Sequence, residues 1–433
     1  MEALAVLLLA CFIACTIGVW SRTRAISLLL LILLLYNYVL HGYVVVFFHD
    51  VLGYSRENYW YDSAPYFVMF DRTYVEAMIV SLLFANAFIL LWLLLPNPGH
   101  DLRNQDDTEL SIDGWPVLIA GILCFAVGMF PWVSALERFM SEGTSSYGGF
   151  KSGEELGAYS GVLKLMLNIT AMCVCVLVLA GIGMGERLTV RISRFVSIYW
   201  CFLIVLCLLF FASMTALGDR VSLIGGGLGA CVLASFYRAR KRRVVWLALL
   251  FLIPVATIGV TREMTEPKGI DEIVLGGIRE IVDNGEASTV FPQYVAMANH
   301  IEAYSEGSLK YLGQIMIPKF LSADRPEQGP YEHFAAVAGF PEQTGWGMNF
   351  MTDCYVNYGY LAVVGGAILL GLLYRTLFQY ARRRVKGQFI FAGAIAAFPL
   401  AIRSGIPGIK SVLVLALVGM LLYLLSVREA RQV

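Results

Sequence analysis

The sequence predicts an all-α polytopic membrane protein of about eleven transmembrane helices with one large, partly helical extracytoplasmic loop. Three observations predict it. Of the 433 residues, 58% are hydrophobic and 15% charged, against roughly 45–50% and about 25% in soluble domains. The apolar residues gather in runs long enough to cross a bilayer, which takes about 20 residues. The basic residues gather in alternate connections between those runs. Such a composition excludes a soluble enzyme, a disordered scaffold and a secreted disulfide module. Lys+Arg and Asp+Glu both total 32, so net charge points to no nucleic-acid partner.

The first run, 2–20, has no basic leader, and Arg22 and Arg24 follow it. It therefore reads as a retained first span with its N-terminus outside, not a secretory signal. Further runs at 25–48, 74–95, 114–136, 157–184, 195–217, 221–237 and 244–261 complete a membrane domain over 1–261. The loop 262–353 follows. The runs 354–374, 387–402 and 411–427 then make a second membrane segment over 354–433.

Positive charge sorts these connections by side. One side carries Arg22, Arg24, Arg103, Arg187, Arg191, Arg194, the cluster from Arg238 to Arg243, Arg375, Arg382, Arg383, Arg384, Lys386, Arg428 and Arg431. The opposite short loops carry fewer: Arg56, Arg72, Arg138, Lys151, Arg220, Arg403 and Lys410. The C-terminus is thus expected in the cytoplasm and the loop 262–353 outside. The acidic loop 96–113, with Arg103 alone, fits this sorting least. At about 90 residues, 262–353 exceeds connectors of up to about 15. Its aromatics, Phe291 to Trp346, suit packing on the membrane domain. Apolar residues recur at helical spacing over 270–282 and 290–305, with Phe291, Val295, Ala298 and Ile301 on one stripe of the second. No internal repeat of the kind that builds many transporters is visible.

The nine cysteines lie inside apolar runs, or at the edge of one for Cys354, so neither a disulfide framework nor a metal cluster is expected. Charges within spans default to functional hypotheses. Glu76 and Lys164 are the two such residues, both near outer helix ends, with snorkelling to the interface as the equal alternative. Glu137, Asp219, Arg220, Arg262, Glu263, Asp353 and Arg403 gather at outer helix ends. The segment Thr215 to Arg220 is a tight hairpin that sets one Arg at the membrane boundary. Arg carries a fixed charge and a donor fork that matches phosphate oxygens.

The large loop adds Pro318-Lys319-Phe320-Leu321, Arg325-Pro326, His333 and the glycine-rich stretch Gly345 to Asn349. The stretch Asp353-Cys354-Tyr355-Val356-Asn357-Tyr358-Gly359 then leads into the next span. Basic residues among aromatics and glycines suit a ligand of sugar rings and phosphates. At these residues the chain resembles the bacterial O-antigen and exopolysaccharide repeat-unit polymerases of the Wzy type. In that family a Gly-x-Arg turn ends a middle span, matched here by Gly218-Asp219-Arg220. A later loop carries Pro-[Arg/Lys]-x-Leu, and an acidic-x-Tyr-x-Asn-[Phe/Tyr]-Gly segment enters the next helix. The motifs cover roughly 210–365.

The resemblance implies a GT-C-like fold in the bacterial cytoplasmic membrane. It implies glycosyl transfer at the outer face without metal or other cofactor. A glycan carried on polyprenyl diphosphate would pass to the next lipid-linked repeat unit, with polyprenyl diphosphate leaving. Arg220 is the first candidate to hold the diphosphate, with Arg325, Arg262 and Arg403 next. Asp219, Glu263, His333 and Asp353 are open as general base. Lys319, Tyr355 and Asn357 complete the expected substrate-binding set. Membrane lipid, a chain-length regulator and a flippase are the implied partners. Two rivals remain: an O-antigen ligase on a similar scaffold, and a non-enzymatic flippase or transporter of lipid-linked sugars.

Overall fold

The computed structural model describes residues 2–23, 72–94, 110–134, 137, 141, 160–181, 188–191, 196–217, 224–227, 229, 290–298, 317 and 349–428. The expected spans 25–48 and 244–261 and most of 221–237 lie outside them, as does 270–282. The described chain is almost entirely helical. The helices are α1 (Glu2–Thr23), α2 (Arg72–Leu94), α3 (Gly114–Met129), α4 (Ser160–Gly181), α5 (Val196–Leu217) and α6 (Val290–Ala298). There follow α7 (Phe350–Arg383), α8 (Val385–Ala396), α9 (Phe398–Arg403) and α10 (Ile409–Ser426).

Among the described residues, six stretches are long and apolar enough to cross a membrane: 72–94, 114–132, 197–214, 350–383, 385–403 and 406–426. Shorter apolar helices cover Ala3–Val19 and Val162–Val178. Their outward surfaces are apolar too, with Leu361 at 87%, Phe130 at 81% and Leu94 at 73% exposure. Soluble proteins rarely leave so much large apolar surface uncovered. This is a membrane protein.

Proline and glycine set the breaks. Pro399 stands where α8 would continue, and proline lacks the N–H and crowds the preceding turn. The helix therefore stops at Ala396 and restarts at Phe398, so the short run expected at 387–402 is two helices. In α7, Tyr358 and Gly359 leave helical geometry, Gly359 with φ 66°. The break is a reversal. A straight helix would separate 354 from 366 by about 18 Å, yet a Cβ at Gly366 would lie 2.5 Å from Cys354 Sγ. Residues 350–357 thus fold back along the helix that begins at 360. The span expected from 354 begins instead at 360, preceded by a re-entrant helix from 350.

The chain divides into two compact units. The first holds 1–97, 269–375 and 400–410. Within it, Asn86 Nδ2 donates to the Leu8 carbonyl at 3.0 Å and Gly18 faces Leu93, so α1 and α2 run parallel. Gly371 packs on the Phe88 carbonyl and Arg375 lies over Trp92, 5.3 Å from its ring centre. The long part of α7 therefore also runs parallel to α2. Tyr294 of α6 meets Tyr74 at the N-terminal end of α2, ring centres 6.1 Å apart. Of the stripe expected over 290–305, the structure describes a helix over 290–298.

The second unit holds 98–268, 376–399 and 411–433. Gly121 faces Cys173 and Gly128 faces Leu167, which makes α3 and α4 antiparallel. Trp115 meets Tyr199 and Phe125 meets Phe210, which makes α3 and α5 parallel. Gly393 seats against the Leu415 backbone and Gly419 against that of Phe389, so α8 and α10 are antiparallel. Gly225 and Gly229 rest on Ala396 and Ala392. Small residues four apart let membrane helices approach closely, where burying apolar surface gives no gain over lipid.

Among the described residues stand three short strands that the sequence does not predict: β1 (Leu110–Asp113), β2 (Leu188–Arg191) and β3 (Val427–Arg428). They form one sheet in the order β2-β1-β3, with β1 parallel to β2 and antiparallel to β3. This sheet gathers the starts of α3 and α5 and the end of α10 at one end of the second unit.

The glycine contacts yield a stability prediction. Gly393→Ala drives a methyl into the Leu415 backbone and should cost about 1–3 kcal/mol in detergent unfolding. Gly365→Ala, with nothing within 4 Å of the added carbon, should stay within about 0.5 kcal/mol of the parent.

Candidate functional site

The sequence around 349–357 has the form of a capped helix start. Asn349 is the cap: its Oδ1 accepts the Thr352 N–H at 2.7 Å, and its carbonyl accepts the Asp353 N–H at 2.9 Å. An Asn cap of this kind satisfies donors that the first turn leaves open. The helix begins beside Phe84, midway along α2, with the Phe350 and Phe84 ring centres 6.0 Å apart. Every side chain from Asn349 to Asn357 is buried. Irregular backbone at membrane depth is tolerated only where protein or a watery cavity surrounds it.

Asp353 is at the centre of this segment and has no exposed surface. Its Oδ1 accepts from Asn357 Nδ2 at 2.8 Å, and its Oδ2 accepts the Ile406 backbone N–H at 2.7 Å. Asn357 Nδ2 also donates to the Asp353 carbonyl at 2.6 Å. Ile406 opens the short 3-10 turn Ile406–Gly408 that leads into α10. A carboxylate there meets an orphan N–H and the positive end of the helix dipole.

The turn that Asp353 holds runs from Arg403 to Gly408. Gly405 has φ 69°, a left-handed conformation that glycine takes without strain. Gly408 N–H donates to the Gly405 carbonyl at 2.9 Å. A Cβ at Gly408 would sit 2.7 Å from the Ala401 carbonyl oxygen, so the turn is folded tightly on α9. Arg403, the last residue of α9, is half-buried. Among the described residues it forms no ion pair with a carboxylate. The geometry thus offers a guanidinium on a rigid turn, suited to an anionic ligand.

Four of the expected site residues are described. Asp353, Asn357 and the turn carrying Arg403 come together. Tyr355 is buried, 1% exposed, with its ring against Tyr360 at 5.4 Å, and Asn357 is 5% exposed. Exposure falls on Tyr358 instead, at 69%. Asp219, Arg220, Arg262, Lys319, Arg325 and His333, with Glu263, lie outside the described residues.

Three further charged residues are placed. Glu76 accepts from Arg72 Nε at 3.0 Å, one turn earlier and partly exposed. Lys164 is half-buried, and its carbonyl accepts from Asn168 at 2.9 Å. Arg375, counted above with the basic residues of one side, is 1% exposed and packs on Trp92. The Asn349 cap and the Ile406 amide went unanticipated. Asn349 four residues ahead of an acid was a visible signal, whereas a backbone amide 53 residues away leaves none. Among the described residues no cluster of His, Cys, Asp or Glu could hold a metal ion.

No family model matches the chain, and no match is found among curated proteins or among solved structures.

The cap and the cation should separate on substitution. Asn349→Ala should cost about 1 kcal/mol of unfolding stability. Arg403→Gln should change stability by less than about 0.5 kcal/mol, because no described ion pair depends on it.

Proposed function

We propose that the chain polymerises polyprenyl-diphosphate-linked oligosaccharide repeat units at the outer face of a bacterial cytoplasmic membrane. On this reading it has about eleven spans, its N-terminus outside and its C-terminus in the cytoplasm. The helix directions support that map. The parallel run of α1 and α2 requires an odd number of crossings between them, as a span at 25–48 supplies. The sheet of β1, β2 and β3 puts the loop near 110 on the side of the basic segments near 191 and 428.

The observation that carries the reading is Arg403 on a turn held by a buried carboxylate at the end of the large loop. Buried polar groups in membrane proteins are costly and gather at functional sites. The acceptor sugar's hydroxyl attacks the anomeric carbon, the bond to the diphosphate oxygen breaks, and the proton passes to a base or water. Negative charge grows on the leaving diphosphate, and a fixed guanidinium stabilises it more in a partly dry groove than in water. Arg403, Arg220, Arg325 and Arg262 supply such charge, with Lys319 beside them. Asp219, Glu263 and His333 remain as bases near the acceptor. A chain-length regulator and a flippase would work beside it.

The test is elongation of a purified lipid-linked repeat unit by the purified protein without nucleotide or added metal. Arg403→Ala and Arg220→Ala should each lower the rate about 10²–10³-fold at normal membrane insertion, and Lys at either position should restore little. Normal polymer from both alanine variants would remove these residues from the mechanism. In cells, loss of the protein should accumulate single repeat units. Long polymer left unattached would indicate a ligase instead.

A further inference from the structure

We infer that Asp353 is a positioning residue that sets the Arg403 turn through its carboxylate, and that it neither donates nor accepts a proton in the reaction. The inference rests on the polymerase reading for its consequence but not for its geometry. Asp353 has no exposed surface, and both of its oxygens are engaged, by Asn357 Nδ2 at 2.8 Å and by the Ile406 N–H at 2.7 Å. A base must reach the proton that it removes. The oxygens of Asp353 are engaged by its own helix and by the turn 53 residues on.

The turn's own bonds, Ser404 N–H to the Leu400 carbonyl and Gly408 N–H to the Gly405 carbonyl, are local, and its side chains add little. Gly405 and Gly408 supply no side chains, Ser404 is exposed, and Pro407 has no N–H to give. The Asp353 bond therefore connects the re-entrant helix to the segment that presents Arg403. The bond needs an acceptor at 353 facing Ile406, and at 353 and 357 one donor facing one acceptor. That requirement can be met in reverse.

The experiment compares the parent, Asp353→Asn, Asn357→Leu and the exchange Asp353→Asn with Asn357→Asp, each as the full chain in nanodiscs. Hydrogen exchange of the peptide over 400–410 and elongation of the lipid-linked repeat unit are both read. Asp353→Asn turns an amide donor toward Ile406, where a donor already stands, or toward Asn357, which must then turn its amide over and give up its bond to the 353 carbonyl. Exchange at Ile406 should quicken about tenfold, the effect of losing a hydrogen bond to a charged acceptor. Elongation should fall about 10²-fold, as small misplacements of a catalytic group do. Asn357→Leu, which leaves the Asp353 carboxylate in place, should quicken exchange and slow elongation less.

The exchanged pair decides between positioning and proton transfer. Its new amide at 353 accepts from Ile406 and donates to the new carboxylate at 357, while the bond from residue 357 to the 353 carbonyl is lost, so exchange protection and elongation should return in large part. Return of protection without elongation would make the Asp353 carboxylate chemically necessary and overturn the inference. So would unchanged exchange and elongation in Asp353→Asn, or quickened exchange in Asn357→Leu with full elongation. A parent protein that never elongates the substrate contradicts the polymerase reading, while the exchange data still judge the tie to the turn.

Discussion

A carboxylate buried among helices of a membrane protein constrains everything near it. Asp353 must find donors for its oxygens or it costs several kcal/mol, and two of the donors it finds belong to separate pieces of chain. One is its own re-entrant helix, through Asn357. The other is the first amide of the turn into α10. The helix 350–357 must therefore fold back at Gly359 to bring Asp353 to that depth, and the turn must close at Gly405 and Gly408 to offer Ile406. Within the second unit, the backbone contacts of Gly393 and Gly419 let α8 and α10 approach closely.

The helices were legible because the bilayer imposes one simple rule on composition. Apolar runs at 74–95, 157–184 and 195–217 correspond to helices with ends within three residues of expectation. The rule cannot separate lipid-facing from protein-facing spans. The stretch 72–94, 61% buried, and 406–426, 33% buried, differ in surroundings but hardly in mean hydropathy, 2.4 against 2.3. It also cannot see a reversal. Phe350 to Arg383 contains enough helix formers for one long rod, and only the positive φ of Gly359 reveals that the rod is folded. The sheet was hidden because strands of two to four residues are too short to show alternation.

The candidate site was legible in its residue types and much less in their roles. Arg403 and Asp353 stand out as charges at helix ends, and the structure brings their segments together. That Asp353 is engaged on both oxygens depends on a backbone amide, and any residue but proline could supply it. The burial of Arg375 was not legible, because its neighbour Trp92 comes from a helix far away in sequence. The proposed chemistry needs cations held still beside a departing diphosphate. A short turn pinned from below by a buried acid meets that need without lending the acid to the reaction.

Sidedness is the most direct test. In a cysteine-free background, Ser322→Cys in the large loop and Thr189→Cys in β2 would be treated with an impermeant maleimide on intact spheroplasts and again after permeabilisation. The account predicts that position 322 reacts in both conditions and position 189 only once the membrane is opened. Reaction of 189 on intact spheroplasts with 322 protected would place the arginine-bearing side in the cytosol, and polymer assembly on the far face of the membrane would be contradicted.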